Sequence, residues 1–182
     1  QRLWQVSLVF VLAAAVLAGG VVWNVRADAK ELHATLAALQ MRFVTDVPPL
    51  LQELLLVPEL PDDMRLRLRD SGMKFTAMTP VQDVHKDVAQ FSKALSELRL
   101  LVTSLASTSA SESTAFKTVK SLSFGEEEEI KKLFANYNQE AFLWNQRDRS
   151  TAGRLVGSTL QLQKVLMVHP DGVTEEQTVV SF

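Results

Sequence analysis

The longest uncharged run limits what this chain can fold into more than any other feature. From Leu3 to Val25 the sequence reads LWQVSLVFVLAAAVLAGGVVWNV, with no charged side chain. As a helix at ~1.5 Å per residue it would be ~34 Å long, enough to cross a ~30 Å hydrocarbon layer. Trp4 and Trp23 stand near its two ends, where the interfacial levels of a bilayer favour indole rings. A cleaved signal sequence has a shorter apolar stretch of ~7–15 residues, whereas here Val21, Val22 and Trp23 carry the run past Gly19-Gly20. The expectation is a single transmembrane anchor over residues 1–25, making the chain a single-pass membrane protein. The side on which the rest would lie stays open, because Arg2 flanks one end and Arg26 and Lys30, offset by Asp28, the other. Gln1 in place of Met suggests residues upstream. Ala15 and Gly19 form a small-xxx-small pair, a candidate contact for another helix.

Beyond position 25 the character changes. All 21 acidic and 18 of the 19 basic residues lie there. A weakly acidic, mixed-sign surface argues against nucleic acid as a partner, since phosphate binding needs a concentrated basic face. The chain has no cysteine, so disulfides, thiolate metal sites and a cysteine nucleophile are excluded.

Periodicity gives the fold class. Leu32, Leu36, Leu39, Phe43, Val47, Leu50 and Leu54 recur every three or four residues and follow the anchor without a breaker. Pro48-Pro49 should bend this first helix, which should end near Val57-Pro58. A short helix is expected from Pro61 and Asp62-Asp63 to Arg69, stopped by Ser71-Gly72. Val81, Val84, Val88, Phe91, Leu95, Leu98, Val102 and Leu105 then form a heptad-like, coiled-coil-type seam. Ser107 to Thr114 is a polar loop. A third long helical region is expected from about Thr114 to Val156, weakest at Gly125, with Ser123 to Glu126 as a capping box and Glu126 to Glu129 at the positive end of the helix dipole. Its apolar face carries Ile130, Leu133, Phe134, Tyr137, Ala141 and Trp144. From Ser158 the pattern fades: Leu160, Leu162 and Val168 suit a strand or a frayed helix, and the last residues read as a loose tail. The sequence thus predicts an all-α protein in which a transmembrane helix (1–25) continues into an antiparallel helical bundle (26–157) of three long helices plus short helical pieces, with an irregular tail (158–182).

Two short stretches resemble the LemA family of bacterial membrane-anchored helical proteins. In the first, Ile130 stands seven residues before Tyr137-Asn138, and Trp144-Asn145 follows seven further on. Leu155-Val156-Gly157 lies where the family has an apolar pair and a small residue. The second is RFVTDVPPLL, Arg42 to Leu51, whose Pro48 matches the family's proline. The chain departs from the family at Asp46, Pro49, Phe134 and Thr151-Ala152. The resemblance implies a helical bundle tethered to a bacterial membrane, without an established enzymatic activity.

Few residues point to chemistry. Asn138 and Asn145, two helical turns apart, share a face beside Tyr137 and Trp144. They suit a polar ladder that sets helix register or meets a partner, or else the outer edge of a core. Four consecutive glutamates fan around a helix and cannot converge on one cation. His33, His85 and His169 lack the spacing of metal ligands, and no GxxxxGK[ST], GxGxxG or GxSxG occurs. No catalytic, metal or cofactor-binding residue is expected. The function expected is a non-enzymatic scaffold or interaction subunit, within a homo-oligomer or a membrane complex. The alternative is the ligand-binding helical domain of a sensory receptor.

Overall fold

The structure is a computed structural model that describes residues 2–147 and 164–168, and the side chains of residues 15–146 and 164–168. Among the described residues five α-helices follow one another: α1 (Arg2–Leu54), α2 (Asp62–Thr76), α3 (Val84–Leu105), α4 (Thr114–Ser123) and α5 (Glu128–Arg147). A single 3-10 turn, Ser109–Glu112, sits between α3 and α4, and there is no strand among the described residues. The described residues are all-α, as the periodicity predicts.

Four of the helices each give one phenylalanine to the centre. Phe43 of α1 stacks on Phe75 of α2 at 6.0 Å and meets Phe91 of α3 and Phe134 of α5 edge-on at 5.2 and 6.1 Å. All four rings are buried. Edge-to-face pairs suit the ring quadrupole and add ~0.5–1.5 kcal/mol each beyond area burial. The cross-links show the direction of each helix. Gln40 donates to the Asp87 carbonyl while Phe43 meets Phe91, so α1 and α3 run parallel. Phe75 meets Phe43 while Gly72 faces Leu51, and Phe134 meets Phe43 while Trp144 shares a cleft with Ala29 and Leu32, so α2 and α5 run the other way. The result is an up-down-up-down four-helix bundle, with α4 packed against α1 and α3. Three long helices were expected to make the bundle. The shorter α2 takes the fourth place because it runs through Gly72 for another turn, burying Ser71 and Phe75.

The loops differ from expectation for local reasons. Pro48 and Pro49 both lie inside α1, which continues past them to Leu54, three residues short of the expected end near Val57-Pro58. Arg65 then holds the α1–α2 turn: its guanidinium donates to the carbonyls of Leu55, Val57, Pro58 and Leu60 at 3.0–3.1 Å. A fixed fork of donors can satisfy carbonyls left over at a helix end, which a lysine cannot do. Ser123 to Glu126 is not a capping box. It ends α4 in a Schellman motif, with Glu126 N–H donating to Ser121 O, Gly125 N–H to Leu122 O and Gly125 at φ 64°. Arg99 Nε donates to Ser123 O at 2.7 Å beneath that turn, tying α3 to it.

One expectation is overturned. Among the described residues no helix is long and apolar enough to cross a membrane. The apolar stretch forms the N-terminal part of the 53-residue helix α1, and Arg26, Asp28, Lys30 and Glu31 follow it on the same helix without a break. The side chains of residues 3–14, the first part of the expected span, lie outside the described set. What the structure places at this end is an arm. From residue 15 to 31 no side chain of α1 is buried, and the core begins at Leu32.

Candidate functional site

α5 carries two different faces. Ile130, Phe134, Tyr137 and Ala141 recur at three- and four-residue steps and are fully buried against the other helices. Asn138 and Asn145 lie one position further round, at the edge of that stripe, and both are half-buried.

Residues 164–168 cross this edge as an extended strap with neither helix nor strand pairing. Asn145 Nδ2 donates to Val165 O and Asn145 Oδ1 accepts from Val165 N–H, both at 2.8 Å. Asn138 does the same to Val168, again with both bonds at 2.8 Å. Each carboxamide thus closes a two-bond ring with the N–H and C=O of a single residue. Only one orientation of the amide satisfies both bonds, so the network fixes which atom is nitrogen. Between the two asparagines, Tyr137 Oη donates to Leu166 O at 2.6 Å. Burial pushes the Tyr137 phenol up, well above its ordinary value. His85 Nδ1 of α3 lies 3.2 Å from Lys164 O, which accepts when that nitrogen carries the proton.

The spacing explains why two rungs fit. Seven residues of helix rise ~10.5 Å. Three residues of extended chain cover ~9–10 Å. A three-residue repeat on one face belongs to a polyproline-II-like ribbon, since a flat strand would turn Val165 and Val168 to opposite sides. The strap therefore runs antiparallel to α5. Its two valines are anchors, 4% and 2% exposed, and both belong to the hydrophobic core. Leu166 and Met167 pack partly against it.

The sequence-predicted residues divide between two places. Tyr137, Asn138 and Asn145 come together on the strap, and Trp144 is half-buried beside Val165. Pro48 and Pro49 lie in α1, half-buried and exposed respectively, away from the ladder. Ala15 and Gly19 are on the arm, both exposed, and a Cβ added at Gly19 would meet nothing within 4 Å. Val16, Leu17 and Trp23 on the same arm are 73%, 71% and 76% exposed. Val168 was expected in a strand or frayed helix; Leu160, Leu162 and the Leu155-Val156-Gly157 motif fall outside the described residues.

Residues that sequence reasoning missed are His85, Val165 and Arg65. No local pattern marks any of them, because each acts on backbone carbonyls or a groove made by distant elements. A cleft of about 370 Å³ opens next to the strap, lined by Ala29, Leu32, Gln82, Asp83, Val84, His85, Trp144 and Val165. At its rim Asp83 caps α3 by accepting from His85 and Lys86 N–H. The Lys86 N–H is the main reason its carboxyl is held below the usual value. No three His, Cys, Asp or Glu residues are gathered to hold a metal ion among the described residues. No family model, curated protein or solved structure matches this chain.

Proposed function

We propose that this protein is a non-enzymatic helical scaffold or interaction subunit that assembles with further copies of itself through α1. The supporting observation is the arm. The helix whose C-terminal half forms part of the bundle core extends without a break into a segment where Val16, Leu17 and Trp23 are exposed. Large apolar side chains left in water along a rigid helix mark a contact surface. Ala15 and Gly19 add a narrow strip on which a second helix backbone can approach closely. Continuity with α1 orients the bundle relative to whatever the arm contacts, which lowers the ordering cost of association. The short motifs resembling the LemA family agree with a bundle of this kind.

Light scattering on the protein purified in mild detergent tests the reading. A homo-oligomer is expected, and Val16→Ser/Leu17→Ser/Trp23→Ser should weaken it at least ~10-fold in dissociation constant, about 1.4 kcal/mol. A wild-type chain that is monomeric at all concentrations, with no co-purifying protein, would overturn it. A second reading, a ligand-binding bundle, is favoured by the cleft at His85 and Trp144, whose volume lies within the ~300–1,000 Å³ of small-molecule sites. A thermal-shift screen of small polar and aromatic compounds would separate the two readings.

A further inference from the structure

The strap is held the way a protein holds a peptide ligand. Four of its contacts to the asparagines, and the one from Tyr137, go to main-chain atoms. Backbone pairing of this type supplies affinity without reading sequence, while pockets for particular side chains supply the selectivity. Here the pockets accept two small β-branched residues three positions apart, Val165 and Val168. Residues 148–163 separate the strap from α5 in sequence.

We propose that the Asn138–Tyr137–Asn145 row is a docking groove for an extended peptide of another protein, and that residues 164–168 are its resident, self-inhibiting occupant. The required ligand follows from the geometry. It carries valine or isoleucine at positions i and i+3. Proline is excluded at both, because the N–H of each is donated to an asparagine Oδ1. Position i+1 needs only its carbonyl, which takes the Tyr137 hydroxyl. The peptide lies antiparallel to α5. Because the resident strap belongs to the same chain, it competes intramolecularly, so an outside peptide binds weakly until the strap is released. This inference does not depend on the α1 arm and survives if the chain proves monomeric.

The test uses the whole chain and a fluorescein-labelled synthetic peptide with the sequence of residues 162–170, followed by anisotropy. Val165→Asp/Val168→Asp in the chain removes the resident anchors, and the labelled peptide should then bind at least ~10-fold more tightly than to wild type. Asn138→Leu/Asn145→Leu added to that variant should remove the gain, and a peptide with proline in place of the second valine should not bind. If the aspartate variant loses its helical circular dichroism, Val165→Ala/Val168→Ala serves in its place, with a smaller gain in the same direction. Equal binding to wild type and strap-weakened chains, or binding that ignores the asparagine changes, would overturn the proposal. So would exchange of straps between two copies of the chain with no binding of the free peptide, which would make a second copy the occupant.

Discussion

The centre of the bundle and the strap seam are two regions built on the same helix by different physics. Around Phe43, one ring from each of α1, α2, α3 and α5 packs into a buried cluster. Nothing there depends on a directional bond, and the cluster joins elements far apart in sequence. Along Asn138 and Asn145 the reverse holds: two valines give modest apolar burial, and five hydrogen bonds set position and direction. Apolar burial of this extent is shared by all four helices, so losing part of it weakens the whole fold. Hydrogen bonds contribute little net stability but cost much when one partner is left buried and alone. The centre should therefore fail globally, and the seam locally.

Phe43→Ala tests the first half and should have the largest effect. It removes the ring that touches the other three and should cost ~3–5 kcal/mol, seen as a lower urea midpoint with all probes moving together. A loss under ~1 kcal/mol would mean that the cluster is not the centre of stability. Asn138→Ala/Asn145→Ala should come next. Each change leaves a strap N–H and C=O without a partner, at ~1–3 kcal/mol per site if the strap stayed in place. The strap has water as an alternative, so the measured global loss should fall below that sum. The same two changes should raise backbone exchange at residues 164–168 and leave α3 protected.

The two regions also differ in how well they can be read from sequence. The stripes at Leu32 to Leu54, Val81 to Leu105 and Ile130 to Ala141 have helical spacing, and the structure buries most of them. Periodicity reports burial because a helix repeats its environment every 3.6 residues. The seam has no such repeat. Asn138 and Asn145 stand out by their seven-residue spacing, but their partner is backbone, which carries no sequence signature. Val168 could be assigned neither to helix nor to strand, since a three-residue ribbon follows neither rule. Ser123 to Glu126 has the residues of a capping box, yet Gly125 at φ 64° makes it a helix stop. The uncharged run beginning at Leu3 shows the same limit from another side. Length and hydropathy suggest a membrane span, whereas the described residues include no helix long and apolar enough for one.

Trp144 sharpens the comparison at the border between the regions. On its heptad position it would count as core, and Trp144→Ala would then cost ~3–5 kcal/mol. It is only half-buried, against Val165 and the cleft, so ~1–2 kcal/mol is expected in denaturant titration. A larger loss would move the boundary of the core outward to include the strap. The smallest effect should come from Asp83. Its carboxyl is held below its ordinary value of 3.8, so its cap is present at neutral pH and is lost as pH falls below that value through the lowered one. Asp83→Asn retains an N-cap acceptor but cannot titrate. Thermal melts between pH 6 and pH 2 should therefore show a slightly shallower acid loss for this variant than for wild type. Superimposable profiles would remove Asp83 from the account.

The separation of seam from centre is tested most directly by native-state hydrogen exchange of the Val165 and Val168 amides. Both N–H groups are hydrogen-bonded to asparagine side chains, so each can exchange only when its rung opens. We expect these two amides to exchange together, and at least ~100-fold faster than the amides of Val88, Phe91 and Phe134, because the strap opens without unfolding the bundle. In Asn138→Ala/Asn145→Ala they should lose protection while the bundle amides keep theirs. If Val165 and Val168 instead exchange at the same rate as the Phe91 amide, and slow or quicken with it under denaturant, the strap is part of one cooperative core and the account is contradicted.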